Sequence, residues 1–304
     1  MYGDPLHGIR PAEDLEQLDR HSAHAHRRLV TYEALCRVCE RERALSAYAE
    51  CGAGAWLQVS ATGDDLRIVC DRCHHRWCPA CAGERGRMVA ANIESHLSGR
   101  SVRFLTLTLR HSQTPLTEQI DRLYRSFASL RRRPQWAASV EGGVAVLEVK
   151  ISDRDGLWHP HLHVVMEGLW FDVREISRLW HGVTGDSSVV WIEGRGTDGS
   201  IARYLAKYLA KPAHDSVYRD PAKLEELIVT LRGRRLCFAF GTWRGWRILA
   251  RPASDVKWLP VQSIVTLVDR ARKGEVEARR WIEAVARKWP NRAAIFGWPQ
   301  SGAP

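Results

Sequence analysis

Three C-x-x-C pairs crowd one stretch of this chain and limit what that stretch can fold into. Seven of the eight cysteines fall between residues 36 and 81: Cys36 and Cys39 in CRVC, Cys51 alone, Cys70 and Cys73 in CDRC, and Cys78 and Cys81 in CPAC. A two-residue spacer lets two thiolates point at one tetrahedral ion from a tight turn. A disulfide framework would need an exporting signal and an oxidising compartment. The start, MYGDPLHGIRPAEDLEQLD, has no basic n-region and no apolar h-region, so a cytoplasmic protein is expected. The expectation is therefore a Zn²⁺-binding region with ligands among Cys36, Cys39, Cys70, Cys73, Cys78 and Cys81. Their grouping stays open. Cys70, Cys73, Cys78 and Cys81 make one site, or Cys36 and Cys39 close on a later pair, with Cys51, His74 and His75 available for a second. Bound zinc contributes about 10 kcal/mol or more to folding a segment too small to hold itself together. Cys237, in RRLCFAFG, reads as a buried strand residue.

The rest of the chain is ordinary globular material. Of 304 residues, 45% are apolar and 26% charged, with a net charge of +10. That excludes a disordered tail or a fibre. No stretch approaches the ~18 consecutive apolar residues of a membrane span. A helix over 12–29, a hairpin of WLQVS and LRIVC around ATGDD, and a helix over 83–96 are expected in the N-terminal part. Further on, VRFLTLTL (102–109) alternates like a strand. Leu116, Ile120, Leu123, Phe127 and Leu130 recur at helix spacing. GVAVLEVKI (143–151) and HPHLHVVMEG (159–168) are strands, DVREISRLWHG a helix, SSVVWIE a strand, and SIARYLAKYLAK (200–211) a helix. Strand, helix, strand, strand, helix, strand is the order of a ferredoxin-like α/β sandwich. Residues 212–304 hold 17 Lys and Arg against nine Asp and Glu, with at least one helix near 262–288. Trp243 and Trp246 stand beside Arg244 and Arg247 there. Aromatics among cations can stack on bases and neutralise phosphates, so these four are candidate DNA-binding residues; the competing reading is a Trp-bearing core.

The chemistry concentrates in HPHLHVV. His161 and His163 are two apart on a strand, so both imidazoles face one way while Leu162 faces the other. Such a pair is a bidentate metal site held rigidly by a sheet. Glu148, flanked by Leu147 and Val149 on the preceding strand, is the candidate third ligand. On helix 200–211, Tyr204, Lys207, Tyr208 and Lys211 share an arc of about 100°. A neighbouring cation favours the phenolate, which makes each tyrosine a plausible nucleophile, and lysine can hold a phosphate. A metal on the His pair would polarise a phosphodiester. These parts together describe phosphoryl transfer to tyrosine.

At these residues the chain resembles HUH endonucleases, specifically the rolling-circle replication initiators of plasmids and small single-stranded DNA phages. FLTLTL is similar to their first motif, HPHLHVV to their His-hydrophobe-His motif, and YLAKYLAK to the tyrosine motif of two-tyrosine members. CHHRWCPACAGERGR resembles the Cys-rich segment that precedes many plasmid catalytic domains. The resemblance spans about residues 70–211. It implies an α+β fold: an HUH (ferredoxin/RRM-like), five-stranded antiparallel sheet with packed helices, preceded by the zinc module. It implies Mg²⁺ or Mn²⁺ at His161 and His163, and nicking of one strand at a replication origin through a 5′-phosphotyrosine link. No G-x-x-x-x-G-K-[ST] motif is present, so a helicase would act in trans, with host single-strand binding protein. The expected organisation is 1–98 helix and Cys-rich region, 99–212 catalytic domain, and 213–304 basic C-terminal region. Three competing readings remain: a two-tyrosine transposase, a zinc-dependent DNA-binding regulator without catalysis, and a metal-dependent hydrolase that uses His161 and His163 without covalent chemistry.

Overall fold

Alternating apolar residues and short turns build a sheet in the middle of the chain, and the computed structural model shows its strands in register. It describes residues 13–97, 102–169, 171–196, 213–246 and 255–289. The helices are α1 (Glu13–Arg37), α2 (Glu42–Ala49), α3 (Pro79–Leu97), α4 (Leu116–Leu130), α5 (Pro134–Ser139), α6 (Val173–Thr184), α7 (Pro221–Leu231), α8 (Ile264–Arg272) and α9 (Val276–Lys288). The strands are β1 (Trp56–Ser60), β2 (Leu66–Val69), β3 (Val102–Thr108), β4 (Val140–Ile151), β5 (Trp158–Gly168), β6 (Val190–Gly196), β7 (Cys237–Gly241) and β8 (Trp258–Ser263). The expected α+β class holds. Among the described residues no helix is long and apolar enough to cross a membrane.

The chain divides into two compact units, each with its own sheet. The larger carries a five-stranded sheet in the order β6-β3-β5-β4-β7, every neighbour antiparallel. Counted from β3, the first four strands run 4-1-3-2, the spatial order of the ferredoxin-like motif, and β7 adds a fifth. On one face, Leu116, Ile120, Leu123, Phe127 and Leu130 of α4 are buried at the spacing seen in the sequence. Asp172 caps α6 by accepting from the Arg174 amide at 2.8 Å, and Gly185 ends it in the left-handed region at φ 83, where glycine has no Cβ to clash. On the other face, Val89, Ile93 and Leu97 of α3 pack with Val102, Phe104, Val144, Val146, Val165 and Trp243. Burying each such side chain contributes about 1.5–3 kcal/mol. Gly143 permits the close pairing of β4 with β5, since a Cβ there would meet the Val165 carbonyl oxygen.

The smaller unit carries the sheet β2-β1-β8. Its core joins Leu57 to Ile264, Leu267, Val268 and Ala271 of α8 and to Ala278, Ile282 and Val285 of α9. The stretch near 262–288, where at least one helix is expected, holds two, parted where Gly274 adopts φ 96 after α8. The C-terminal region expected as one segment is shared between the units: β7 joins the five-stranded sheet and β8 pairs with β1.

Candidate active site and metal centre

The strand that carries both His161 and His163, β5, is the middle strand of the five-stranded sheet. Thr108 lies opposite His161, which lies opposite Glu148; Thr106 lies opposite His163, which lies opposite Val146. Alternation therefore sets His161, His163 and Glu148 on one face, the face packed by α3 at its other end. His163 is 4% exposed. Its Nε2 stands 2.9 Å from Glu148 Oε2, and its Nδ1 is 3.1 Å from the Thr106 hydroxyl. Phe104 stacks on the same ring at 5.5 Å. Lys150 Nζ reaches Glu148 Oε2 at 3.1 Å. His159, which Pro160 separates from the regular alternation, lies against His161 with centroids 4.2 Å apart. His111 packs on His159 at 4.2 Å and bonds Asp155 Oδ2 at 2.8 Å. Sequence reasoning missed His111 and Asp155, which precede and follow the strands and reach the site only through the fold.

The electrostatics suit cation binding. Burial, then the neighbouring His159, push His161 down to about 3. Its imidazole is thus neutral at pH 7, as a ligand must be. Burial alone would raise Glu148, but the His163 bond and the Lys150 ammonium more than offset it and hold the carboxyl below its ordinary value. The His111 bond, aided by the Leu157 amide, holds Asp155 down to about 2.

His161, His163 and Glu148 are the residues here that could hold a divalent cation. Two ligand atoms at adjacent octahedral positions, each about 2.1 Å from the ion, lie about 2.9 Å apart, which is the His163–Glu148 separation. His161 Nδ1 is buried and has no hydrogen-bond partner among the described residues, a cost that native interiors seldom bear without a reason. Two imidazoles with a carboxylate suit Mn²⁺ or a similar borderline ion. The group is open, with the His161 and His163 ring centroids 6.0 Å apart.

A second cluster is tighter. The sulfurs of Cys51, Cys73, Cys78 and Cys81 all lie within 4.8 Å of one another. Four thiolates around zinc at about 2.3 Å are separated by about 3.8 Å, so the set fits one tetrahedral ion. Paired backbone bonds, Gly52 to the Asp71 carbonyl at 2.8 Å and Asp71 to the Ala53 carbonyl at 3.0 Å, draw Cys51 beside the Cys73 segment. Cys78 and Cys81 sit at the start of α3. Of the six cysteines expected as ligands, Cys73, Cys78 and Cys81 join this cluster. Cys36, Cys39 and Cys70 stand outside it, Cys36 exposed in the last turn of α1 and Cys39 exposed just beyond it, and Cys51 takes the fourth place.

The tail residues divide. Trp243 is 1% exposed and donates its indole N–H to Glu167 at 2.7 Å. It is a core residue, which corrects its reading as a base-stacking surface: the aromatic was recruited to seal α3 against the sheet. Trp246 stacks on His96 at 4.3 Å, and Arg244 is exposed. Cys237 is partly buried at the start of β7, where burial pushes its thiol up to about 12. Tyr204, Lys207, Tyr208, Lys211 and Arg247 lie outside the described residues.

Residues 68–176 match the family model described as Replication protein. That span includes Glu148, His161 and His163. The chain is 28% identical over 284 residues to a "Protein rep" of Lactiplantibacillus plantarum, covering 81% of this chain and 86% of that one. It is 26% identical over 158 residues to a "Protein rep" of Staphylococcus aureus, covering 46% and 69%. A "Protein rep" of Streptococcus pneumoniae serotype 2 is 27% identical over 192 residues, covering 51% and 59%. No solved structure matches the chain significantly. The expected resemblance to replication proteins therefore holds.

Proposed function

We propose that this protein initiates rolling-circle replication by nicking and rejoining one strand of origin DNA. One observation carries the reading: two neutral or hydrogen-bonded imidazoles and a low-pKa carboxylate meet on adjacent central strands of a ferredoxin-like sheet, inside the span that matches replication proteins. His161, His163 and Glu148 hold Mg²⁺ or Mn²⁺, which when bound supplies Lewis-acid polarisation of the scissile phosphodiester. Thr106 and Phe104 fix the His163 ring, as outer partners of metal ligands do. Tyr204 or Tyr208 attacks the phosphorus through its phenol oxygen. The bond from phosphorus to the 3′ oxygen breaks, and the departing 3′-hydroxyl takes up the proton the phenol loses. The product is a 5′-phosphotyrosine link that keeps the bond energy for rejoining. Lys207 and Lys211 favour the phenolate and neutralise the phosphate. Cys51, Cys73, Cys78 and Cys81 hold one structural Zn²⁺. Host helicase and single-strand binding protein act in trans, since the chain has no P-loop motif.

The test uses the full chain with Mn²⁺ and a 3′-labelled single-stranded oligonucleotide library from its own replicon. A labelled band at protein mass should survive boiling and denaturing electrophoresis. It should vanish in His161→Ala and in the Tyr204→Phe/Tyr208→Phe double variant. Cleavage without a covalent band would overturn the tyrosine chemistry. Retained DNA binding without cleavage of any library member would overturn the nuclease reading.

A further inference from the structure

One row of residues crosses all five strands of the larger sheet: Trp191 on β6, Thr106 on β3, His163 on β5, Val146 on β4 and Cys237 on β7. Residues opposite one another across antiparallel strands point to the same face. Trp191 therefore stands on the face of His163 and Glu148, two strands away, at about twice the ~4.8 Å strand spacing. It is 64% exposed, and the preceding Val189 is 69% exposed. Among the described residues no ring or cation packs on the indole. Its surroundings contrast with those of the other large aromatics here, since Trp180, Phe104 and Phe127 are all buried. The strand beneath is well anchored. The Thr108 hydroxyl donates to the Val189 carbonyl at 2.9 Å, and Trp180 holds the Thr108 carbonyl at 2.7 Å. An exposed indole on a rigid strand, in register with a candidate metal ligand, is costly to leave in water and has a flat face to offer.

We propose that Trp191 is the stacking platform for one nucleobase of the single strand being cut, close to the scissile phosphate. The inference rests on the nuclease reading above, which puts a DNA strand on this face. Base–aromatic stacking tolerates any sequence, because every base has a π-face. Trp191 would thus set where the strand lies over His161 and His163 without choosing which base lies there. Strand positioning of this kind converts binding into a near-attack geometry.

The experiment measures binding of the full chain to fluorescein-labelled (dT)20 across a salt series. Trp191→Ala should weaken binding about 5- to 150-fold, and Trp191→Phe should restore most of it. The slope of log affinity against log salt should be the same for all three proteins, because stacking releases no counterions. An oligonucleotide with one abasic position should cost the wild type the same factor and Trp191→Ala nothing more. Thermal unfolding of Trp191→Ala should match wild type, since the side chain is exposed. Equal affinity of Trp191→Ala and wild type would overturn the platform. So would a changed salt slope, or a loss that phenylalanine does not restore. The covalent-band assay is read separately. A band formed by wild type and by a normally binding Trp191→Ala refutes the platform and leaves the nuclease reading standing. A wild type that binds without forming a band refutes the nuclease reading.

Discussion

On the sheet face that carries His161 and His163, the end under α3 is closed by Val89, Ile93, Leu97, Val144, Val165 and Trp243. The other end holds imidazoles, a carboxylate and an ammonium. Both ends use the same strands and the same alternation. The difference teaches how rigidity is delivered. The apolar end has little polar surface to satisfy, the Trp243 indole N–H being met by Glu167, so it can be packed to crystal-like density. The polar end borrows that rigidity through two residues at the boundary, Phe104 stacked on His163 and Thr106 bonded to its Nδ1.

Three variants break or sharpen this contrast. Phe104→Ala removes a fully buried ring at the boundary. It should lower unfolding free energy by about 3–5 kcal/mol, read from the urea midpoint, and should loosen the His163 ring. Trp243→Phe keeps the apolar volume but takes the donor from Glu167. It should cost about 0.5–1.5 kcal/mol, the net worth of the one hydrogen bond lost to the half-buried Glu167. An unchanged midpoint would mean that water replaces the indole. The third concerns pH. Unfolded His161 takes up a proton near 6.5, whereas the folded residue resists it until about 3. The stability it contributes is complete above pH 6.5 and is lost as pH falls from there toward 3. Between pH 7 and 5, above the range where Glu148 titrates, His161→Gln should flatten the decline of the urea midpoint. A parallel decline in both proteins would assign it to other groups.

Much of the larger sheet was legible because local pattern and tertiary environment agree there. Period-two apolar strands and the 3.6-residue repeat of α4 need no distant information. The His pair was legible for the same reason, since strand parity alone sets two residues on one face. Glu148 followed from adjacency of β4 and β5 across a short turn. The zinc ligands were less so. Knuckle spacing says that two thiols can share an ion, but not which partner the fold supplies, and Cys51 entered through a backbone bridge to Asp71. Trp243 and Trp191 show the same limit from opposite sides. Trp243 sits between Thr242 and Arg244 yet is sealed under a helix, whereas Trp191 sits between Val190 and Ile192 yet stands in solvent, because packing across the sheet decides it. WLPVQS is a weak strand signal, since Pro260 removes a ladder donor; the proline is tolerated at the edge of a three-stranded sheet.

The pairing of β8 with β1 has a consequence for the order of events during synthesis. Trp56 pairs with Ser263, about two hundred residues further along a chain made at about 5–20 residues per second. Until then the β1–β2 hairpin is two-stranded, and an isolated hairpin is marginal in water. Its apolar face waits for α8 and α9, which are made later still. The five-stranded sheet has all its strands by Gly241. The nascent chain thus completes the sheet bearing His161 and His163 first, and the N-terminal hairpin is among the last parts to find its partner.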